Sequence, residues 1–591
     1  MYLIVQIILL LQVVLAATST SKGYAPFAVS CPAGSLTRDA SGINSNEKTY
    51  ITNRQSMAKS ALATFLNNAK LKDFDVPSFM KQASPKIGLA ISGGGYRSML
   101  TGAGELAALD SRTSSKDKTL AGILQASSYI TGLSGGSWLV GSIAANNYLS
   151  VDKILADGNL WNLKSILNYY SSTISNVLMW AEIGKQVNDK SKAGFNTSIT
   201  DPYSRAISYQ FLSNFNDNGA GVLWSDVTSN SAFRAFQMPF PILVADARDN
   251  YISNLNSTVF EITPYELGSW DPSLKSFVQT KYLGTNLDSG KPTGICYNGY
   301  DNTGFVLGTS SSWFNQALLK LSNSRLPSFL SNLITSVATS NIQVAHYKPN
   351  PFYKSSKQDT SISKSSSLDL VDGGEDGQNL PLLPLLNRKV DVIFAYDNSD
   401  NINHWPNGSA LIKTYQRQFV AQGKSFAFPH VPDHKTFRNL NLTSKPVFFG
   451  CDAKNLTSLT ANIYDVPLVI YLPNRPFSYW SNTSTAKLEY SITARNKMIQ
   501  NGYEIATRKN GTLDSEWAAC VGCAIIRREQ ERLGKAQTDQ CKQCFKKYCW
   551  DGTIYRGADI GDNYSDTGLT KLATAYNSQN VAGFNDGSSD F

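Results

Sequence analysis

Thr131-Gly132-Leu133-Ser134-Gly135-Gly136-Ser137-Trp138 is the stretch on which the fold turns. It contains G-x-S-x-G, with two glycines directly after the serine. The preceding segment, Gly122 to Ile130, can run as a short helix or strand into a sharp turn. Such spacing has a steric reason. A serine raised on a tight strand-to-helix turn needs neighbours without bulk, so that its Oγ stands clear and backbone N–H groups face a developing oxyanion. Glycine and serine are common, so the pattern alone also fits an ordinary turn. The surrounding sequence decides.

Upstream, Ile87-Gly88-Leu89-Ala90-Ile91 is an apolar run of strand length that feeds into Ser92-Gly93-Gly94-Gly95-Tyr96-Arg97. A helical run from Ser98 to Asp110 follows, rich in Ala and Leu, with glycines that permit close packing. Strand, glycine loop and helix form an anion site, because consecutive N–H groups point into one pocket and the helix N-terminus adds positive potential. Neither G-x-G-x-x-G nor G-x-x-x-x-G-K-[ST] is matched, which argues against a nucleotide. Downstream, Leu368-Asp369-Leu370-Val371-Asp372-Gly373-Gly374 again reads as a strand ending in a carboxylate and two glycines. A calcium loop is the rival reading, with Asp372, Asp376 and Gly377 correctly spaced. Gly374 and Leu383 stand where two further ligands belong, and the calcium reading fails.

The rest of the chain is punctuated more coarsely. Tyr50 to Asn68 has helical spacing, and Val390 to Tyr396 reads as a buried strand. Asn146 to Lys354 is rich in aromatic residues and is expected to continue the sheet, with insertions forming a cap. Ser355 to Ser367, rich in Ser and Lys, reads as an exposed loop.

The 591 residues carry a formal charge of +9, 42% hydrophobic and 17% charged residues, a globular composition able to bury a large core. No basic tract is dense enough for nucleic acid; weak attraction to anionic lipid is the most the charge supports. Residues 1–17 are expected to be a signal peptide: the apolar run is short, and Val14-Leu15-Ala16 resembles a cleavage site. Sequons at Asn196, Asn256, Asn407, Asn441, Asn455, Asn482, Asn510 and Asn563 fit a secreted glycoprotein. The polar tail Gly583 to Phe591 lacks a lipid-anchor signal. Eight cysteines are an even set. Cys520-x2-Cys523 and Cys541-x2-Cys544, with Cys549 beyond, match a zinc template, but in a secreted chain disulfides are the better expectation for this part, 515–552.

Three glycine turns now stand in order: Ser92–Arg97, Gly132–Trp138 and Asp372–Asn379. Together they resemble the catalytic signature of the fungal lysophospholipase/phospholipase B family, whose catalytic domain is related to the cytosolic phospholipase A group and more remotely to patatin. Pro264 to Pro272 and the cysteine-bearing C-terminus agree as well, so the resemblance runs from about Cys31 to Trp550. It implies an α/β fold, a central mixed sheet with helices on both faces and a cap, in a single catalytic domain over 26–575. Ser134 is implied as nucleophile and Asp372 as its partner in a Ser–Asp dyad. Gly94 and Gly95 are implied as the oxyanion hole and Arg97 as the ligand of the head-group phosphate. The implied reaction is hydrolysis of fatty-acyl esters of lysophospholipids and of diacyl phospholipids at a micelle or membrane surface, with acyl transfer between lipids. No metal or other cofactor is implied.

An aspartate with a pKa of about 3.9 is a poor base for serine, so such a dyad depends on a dry site. The rival is a Ser–His–Asp triad, for which His346, His404, His430 and His434 are the candidates; the last three follow Asp372, as that order requires. A glycoprotein that binds lipid without turnover is a third reading, but it has no need of serine and aspartate on separate glycine turns.

Overall fold

A computed structural model describes residues 23–115, 118–166, 168–248, 253–315, 344–354 and 360–559. Residues 1–17, expected to be a signal peptide, Asn563 and the end of the 26–575 range lie outside the described residues. The described residues contain a 12-stranded mixed sheet. Its strands are β1 (Thr37–Asp39), β2 (Ile87–Ile91), β3 (Tyr129–Leu133), β4 (Phe240–Ala247), β5 (Val259–Ile262) and β6 (Glu266–Ser269). They continue as β7 (Ser276–Gln279), β8 (Ala345–Tyr347), β9 (Leu368–Asp372), β10 (Val392–Asp397), β11 (Val447–Phe449) and β12 (Leu468–Pro473). The order across the sheet is β11-β12-β10-β2-β3-β4-β5-β6-β7-β1.

From β12 through β10, β2 and β3 to β4 the pairing is parallel. Every residue of these five strands is buried, which requires cover on both faces. Helix α2 (Gly95–Leu109) packs against both α3 (Gly135–Ala145) and α7 (Ile492–Thr507). Helices α1 (Ser45–Asn68) and α8 (Trp517–Arg532) form a second group. The α2–α7 crossing is close because a Cβ at Gly104 would lie 1.8 Å from Ile499 O, so nothing larger than hydrogen fits there. In the middle of the chain, α4 (Thr173–Lys192) and α5 (Thr200–Phe211) precede β4, and α6 (Thr303–Ser310) follows β7.

The registers explain how distant residues meet. Leu243 and Val244 of β4 pair with β3 or its flank on one side and β5 on the other, while Ala245 and Asp246 pair with β5 and β9. A strand has two edges, so β3 and β9 share one edge of β4. They run toward each other along it: Leu133 lies opposite Val244, and Asp372 lies opposite Ala245. The ends of the two strands therefore abut.

All eight cysteines are paired, as Cys31–Cys296, Cys451–Cys549, Cys520–Cys544 and Cys523–Cys541. The last two bridges take cysteines at i and i+3 on α8 and on α9 (Asp539–Tyr548). That spacing puts both on one helical face, and first pairs with last because the helices are antiparallel. The zinc template is thus filled by disulfides. One expectation needs correction: the stretch 355–367 is not wholly an exposed loop. Ser361–Lys364 forms a helical turn capped reciprocally by Thr360 and Ser363, and Ile362 is buried. Serine supplies the caps there, and a single isoleucine anchors the turn.

Candidate active site

The first two glycine turns sit at the carboxyl ends of the parallel strands β2 and β3, and the third follows the carboxyl end of the antiparallel β9, which meets β3 head-on at the same place. β2 runs directly into Ser92–Gly94, and Gly94 caps α2 with φ 135°. β3 runs into Ser134, which caps α3 with φ 51° and ψ −119°. Such a conformation is sparsely populated for a residue with a Cβ, and it throws the side chain out at the apex of the turn. The turn closes because its neighbours are bare: a Cβ at Gly135 would lie 2.0 Å from Gly95 O. The first and second glycine turns are therefore in backbone contact.

Ser134 Oγ donates a 2.8 Å hydrogen bond to Asp372 Oδ2, across 238 positions of sequence. Both residues are buried. The other carboxylate oxygen, Oδ1, accepts from Gly374 N–H at 3.0 Å. Burial pushes the Asp372 carboxyl up to about 7, against the opposing pull of hydrogen bonds from Gly374 N–H, Ser134 Oγ and Trp313 N–H. A carboxylate with that pKa is a competent base near neutrality. The N–H groups of Gly94 and Gly95 open the α2 N-terminus, where helix geometry leaves them without intrahelical acceptors.

The four histidines lie elsewhere. His346 Nδ1 bonds Asp369 at 2.6 Å, His404 Nδ1 bonds Asp400 at 3.0 Å, and His430 lies between Tyr415 and Ser458. His434 begins a short helix capped by Asp433. Ser134 thus meets its carboxylate directly.

Arg97 stands beside the glycine loop but is fully enclosed. Its guanidinium donates to Asn398 O, Asp400 Oδ2, Thr483 O and Thr485 Oγ1 at 2.9, 3.3, 2.5 and 3.0 Å. A phosphate contact would have to displace one of these acceptors or use the remaining Nη2 hydrogen.

Several positioning residues carry no signature in the sequence. Ser134 N–H is shared between Ser310 O and Ser310 Oγ, at 3.2 and 3.1 Å. Asp372 N–H donates to Ser312 Oγ at 2.9 Å, and Trp313 N–H reaches the Asp372 carboxylate. One four-residue segment at the end of α6 therefore holds both members of the Ser134–Asp372 pair. Asn379 ties the first turn to the third, its carbonyl accepting from Gly93 N–H at 2.9 Å. A serine run at a helix end reads as a cap or a surface, so only the tertiary contacts show what Ser310 and Ser312 hold.

The family model for the lysophospholipase catalytic domain matches residues 87–555. The chain belongs to the lysophospholipase family. It is 62% identical over 592 residues to Lysophospholipase 1 of Candida albicans, covering 98% of each chain. It is 46% identical to Lysophospholipase 3 of Saccharomyces cerevisiae, covering 92% of this chain and 84% of that one. Among solved structures, human GIVD cytosolic phospholipase A2 superposes with a TM-score of 0.60 at 16% identity, covering 85% of this chain and 67% of that one. At that identity the likeness establishes the fold, a mixed α/β sheet of the cytosolic phospholipase type.

Proposed function

We propose that this enzyme hydrolyses fatty-acyl esters of lysophospholipids, and of diacyl phospholipids, through an acyl-serine intermediate. The observation that carries the reading is the 2.8 Å bond from Ser134 Oγ to Asp372 Oδ2, with the pair at the mouth of a glycine loop. Ser134 Oγ attacks the ester carbonyl carbon as its proton passes to Asp372. The oxyanion falls against the N–H groups of Gly94 and Gly95, whose position at a helix N-terminus favours negative charge. The bond to the glycerol oxygen then breaks, and Asp372 returns the proton to that leaving oxygen. Water attacks the acyl-serine by the same relay, releasing fatty acid and restoring the Ser134 hydroxyl. A lipid hydroxyl in place of water gives acyl transfer. Arg97 supplies positive potential behind the glycine loop, and it binds the head-group phosphate when the Thr483–Thr485 segment yields.

Secretion and glycosylation belong to the same proposal. Of the described sequon asparagines, Asn196, Asn256 and Asn455 are exposed, and Asn407, Asn441, Asn482 and Asn510 are partly exposed. None of the seven is buried.

The test is fatty-acid release from lysophosphatidylcholine, with chelator present, by wild type, Ser134→Ala, Asp372→Asn and each histidine-to-alanine variant. The serine and aspartate variants should lose about 10³-fold or more, and the histidine variants should retain activity. A histidine variant that stays folded and dies would replace the dyad with a triad. Treatment with an endoglycosidase of protein collected from the medium checks secretion and glycosylation together.

A further inference from the structure

Helix α4 has two apolar faces where a globular protein needs one. Inward, Met179, Trp180, Ile183 and Val187 are buried. Outward, Ile174 is 73% exposed, Leu178 65% and Val177 38%, at i, i+4 and i+3 on one face. Tyr170, 39% exposed, is held beside them, because buried Asn176 both accepts from Tyr170 N–H and donates to Tyr170 O at 2.7 Å. A cluster of large exposed apolar side chains, held in fixed geometry, marks a contact surface.

We propose that this face of α4 docks on the lipid aggregate that carries the substrate; the proposal rests on the phospholipid reading above. Charge selects the occupant. No charged residue stands between Lys164 and Glu182. Hydrocarbon rejects charge, whereas a protein partner is met with a polar and charged rim. The next charges, Glu182 and Lys185, continue the same face one to two turns further on, where they pair with each other at 3.6 Å and bound the apolar patch at that end. The face is also connected to the chemistry. The Tyr169 and Tyr170 rings lie 5.5 and 6.4 Å from the Tyr209 ring of α5. Tyr203 of the same helix shares a 2.9 Å hydrogen bond with Ser311 Oγ, between the two serines that hold Ser134 and Asp372. Lipid bound at α4 therefore lies against the elements that frame the dyad.

The test separates docking from turnover. Flotation with phosphatidylcholine vesicles is measured for the Ser134→Ala protein, with and without Ile174→Glu and Leu178→Glu together. Hydrolysis of micellar lysophosphatidylcholine and of a water-soluble short-chain nitrophenyl ester is measured with Ser134 intact. The expected result is at least about a tenfold loss of vesicle binding and a parallel loss on micelles, with the soluble ester unaffected. Leu178→Ser, the milder change, should give a smaller loss of the same kind and keeps the test open if the double variant misfolds. Unchanged flotation overturns the proposal. So does a wild-type dimer that the glutamates dissociate without altering flotation, which would assign the face to a second copy. Vesicle binding that depends on α4 in a protein that releases no fatty acid would leave docking standing and remove the phospholipase reading.

Discussion

At the residue scale, Asp372 does two incompatible things for the protein. Its burial raises the carboxyl to about 7, which suits it to the proposed role of base for Ser134. The same burial costs stability once the group ionises. An unfolded aspartate has a pKa of about 3.9. Below that value the group is neutral in both states and contributes nothing. Between there and about 7 the unfolded state loses its proton first, so stability falls as pH rises. Two outcomes follow. Activity should rise with pH along an acid limb centred near 7, read from kcat/KM against pH. Asp372→Asn should melt higher than wild type at pH 8, by on the order of 1 kcal/mol or more, and the difference should vanish near pH 4. A scanning calorimeter at the two pH values distinguishes this from a pH-independent effect of the substitution.

At the element scale, the two candidate catalytic residues are delivered by strand ends and fixed by the end of a helix. β3 and β9 abut along one edge of β4, and that brings Ser134 and Asp372 near each other. The last adjustment belongs to α6, through Ser310 and Ser312. Ser312→Ala leaves the Asp372 N–H without its acceptor in a buried site, so the strand end should relax. A displacement of about 1 Å costs up to about 10²-fold in a catalytic geometry. The expected result is a fall of about tenfold or more in kcat with KM little changed, rescued by Ser312→Thr. An equal loss in kcat and thermal stability, with no rescue, would reduce Ser312 to packing. This division also explains what could be read in advance. Each glycine turn is local, its residues adjacent, and so Ser92–Arg97, Gly132–Trp138 and Asp372–Gly374 announce themselves. The edge that β9 takes on β4, and the use of a plain serine run to hold two loops, are decided by contacts between residues far apart in sequence. So is the enclosure of Arg97, whose acceptors come from Asn398 and from the Thr483–Thr485 segment.

At the scale of the whole molecule, the candidate site and a buried ion cluster flank opposite ends of β3. Its carboxyl end runs into Ser134. Beside Tyr129 at the start of β3, Arg388 is fully buried between Glu47 of α1 and Glu261 of β5, and all five of its N–H groups are used. It donates to Glu47 at 2.7 and 2.9 Å, to Glu261 at 2.9 and 2.7 Å, and to Pro384 O at 3.0 Å. Burial alone would lower the pKa of this guanidinium, but the two glutamates outweigh it and hold it charged. The group joins an N-terminal helix to a central strand and to the segment leading into β10, contacts separated by 341 and 127 positions. Nothing in the sequence around Arg388 signals such a partnership; what is legible there is only the buried strand that follows. Removing the cation leaves two carboxylates in a dry interior. The two cannot both stay ionised, so Arg388→Met should cost about 3–5 kcal/mol, where replacing an isolated surface pair would cost under about 1 kcal/mol. The loss should ease at acid pH as the stranded carboxyls take up protons. Because the Ser134–Asp372 pair lies at the other end of β3, kcat of the protein that remains folded should be unchanged. Denaturant titration at pH 5 and pH 8, together with active-serine titration by a fluorophosphonate, reads both quantities on one sample. A kcat that falls for the folded fraction would mean that the two ends of β3 are coupled.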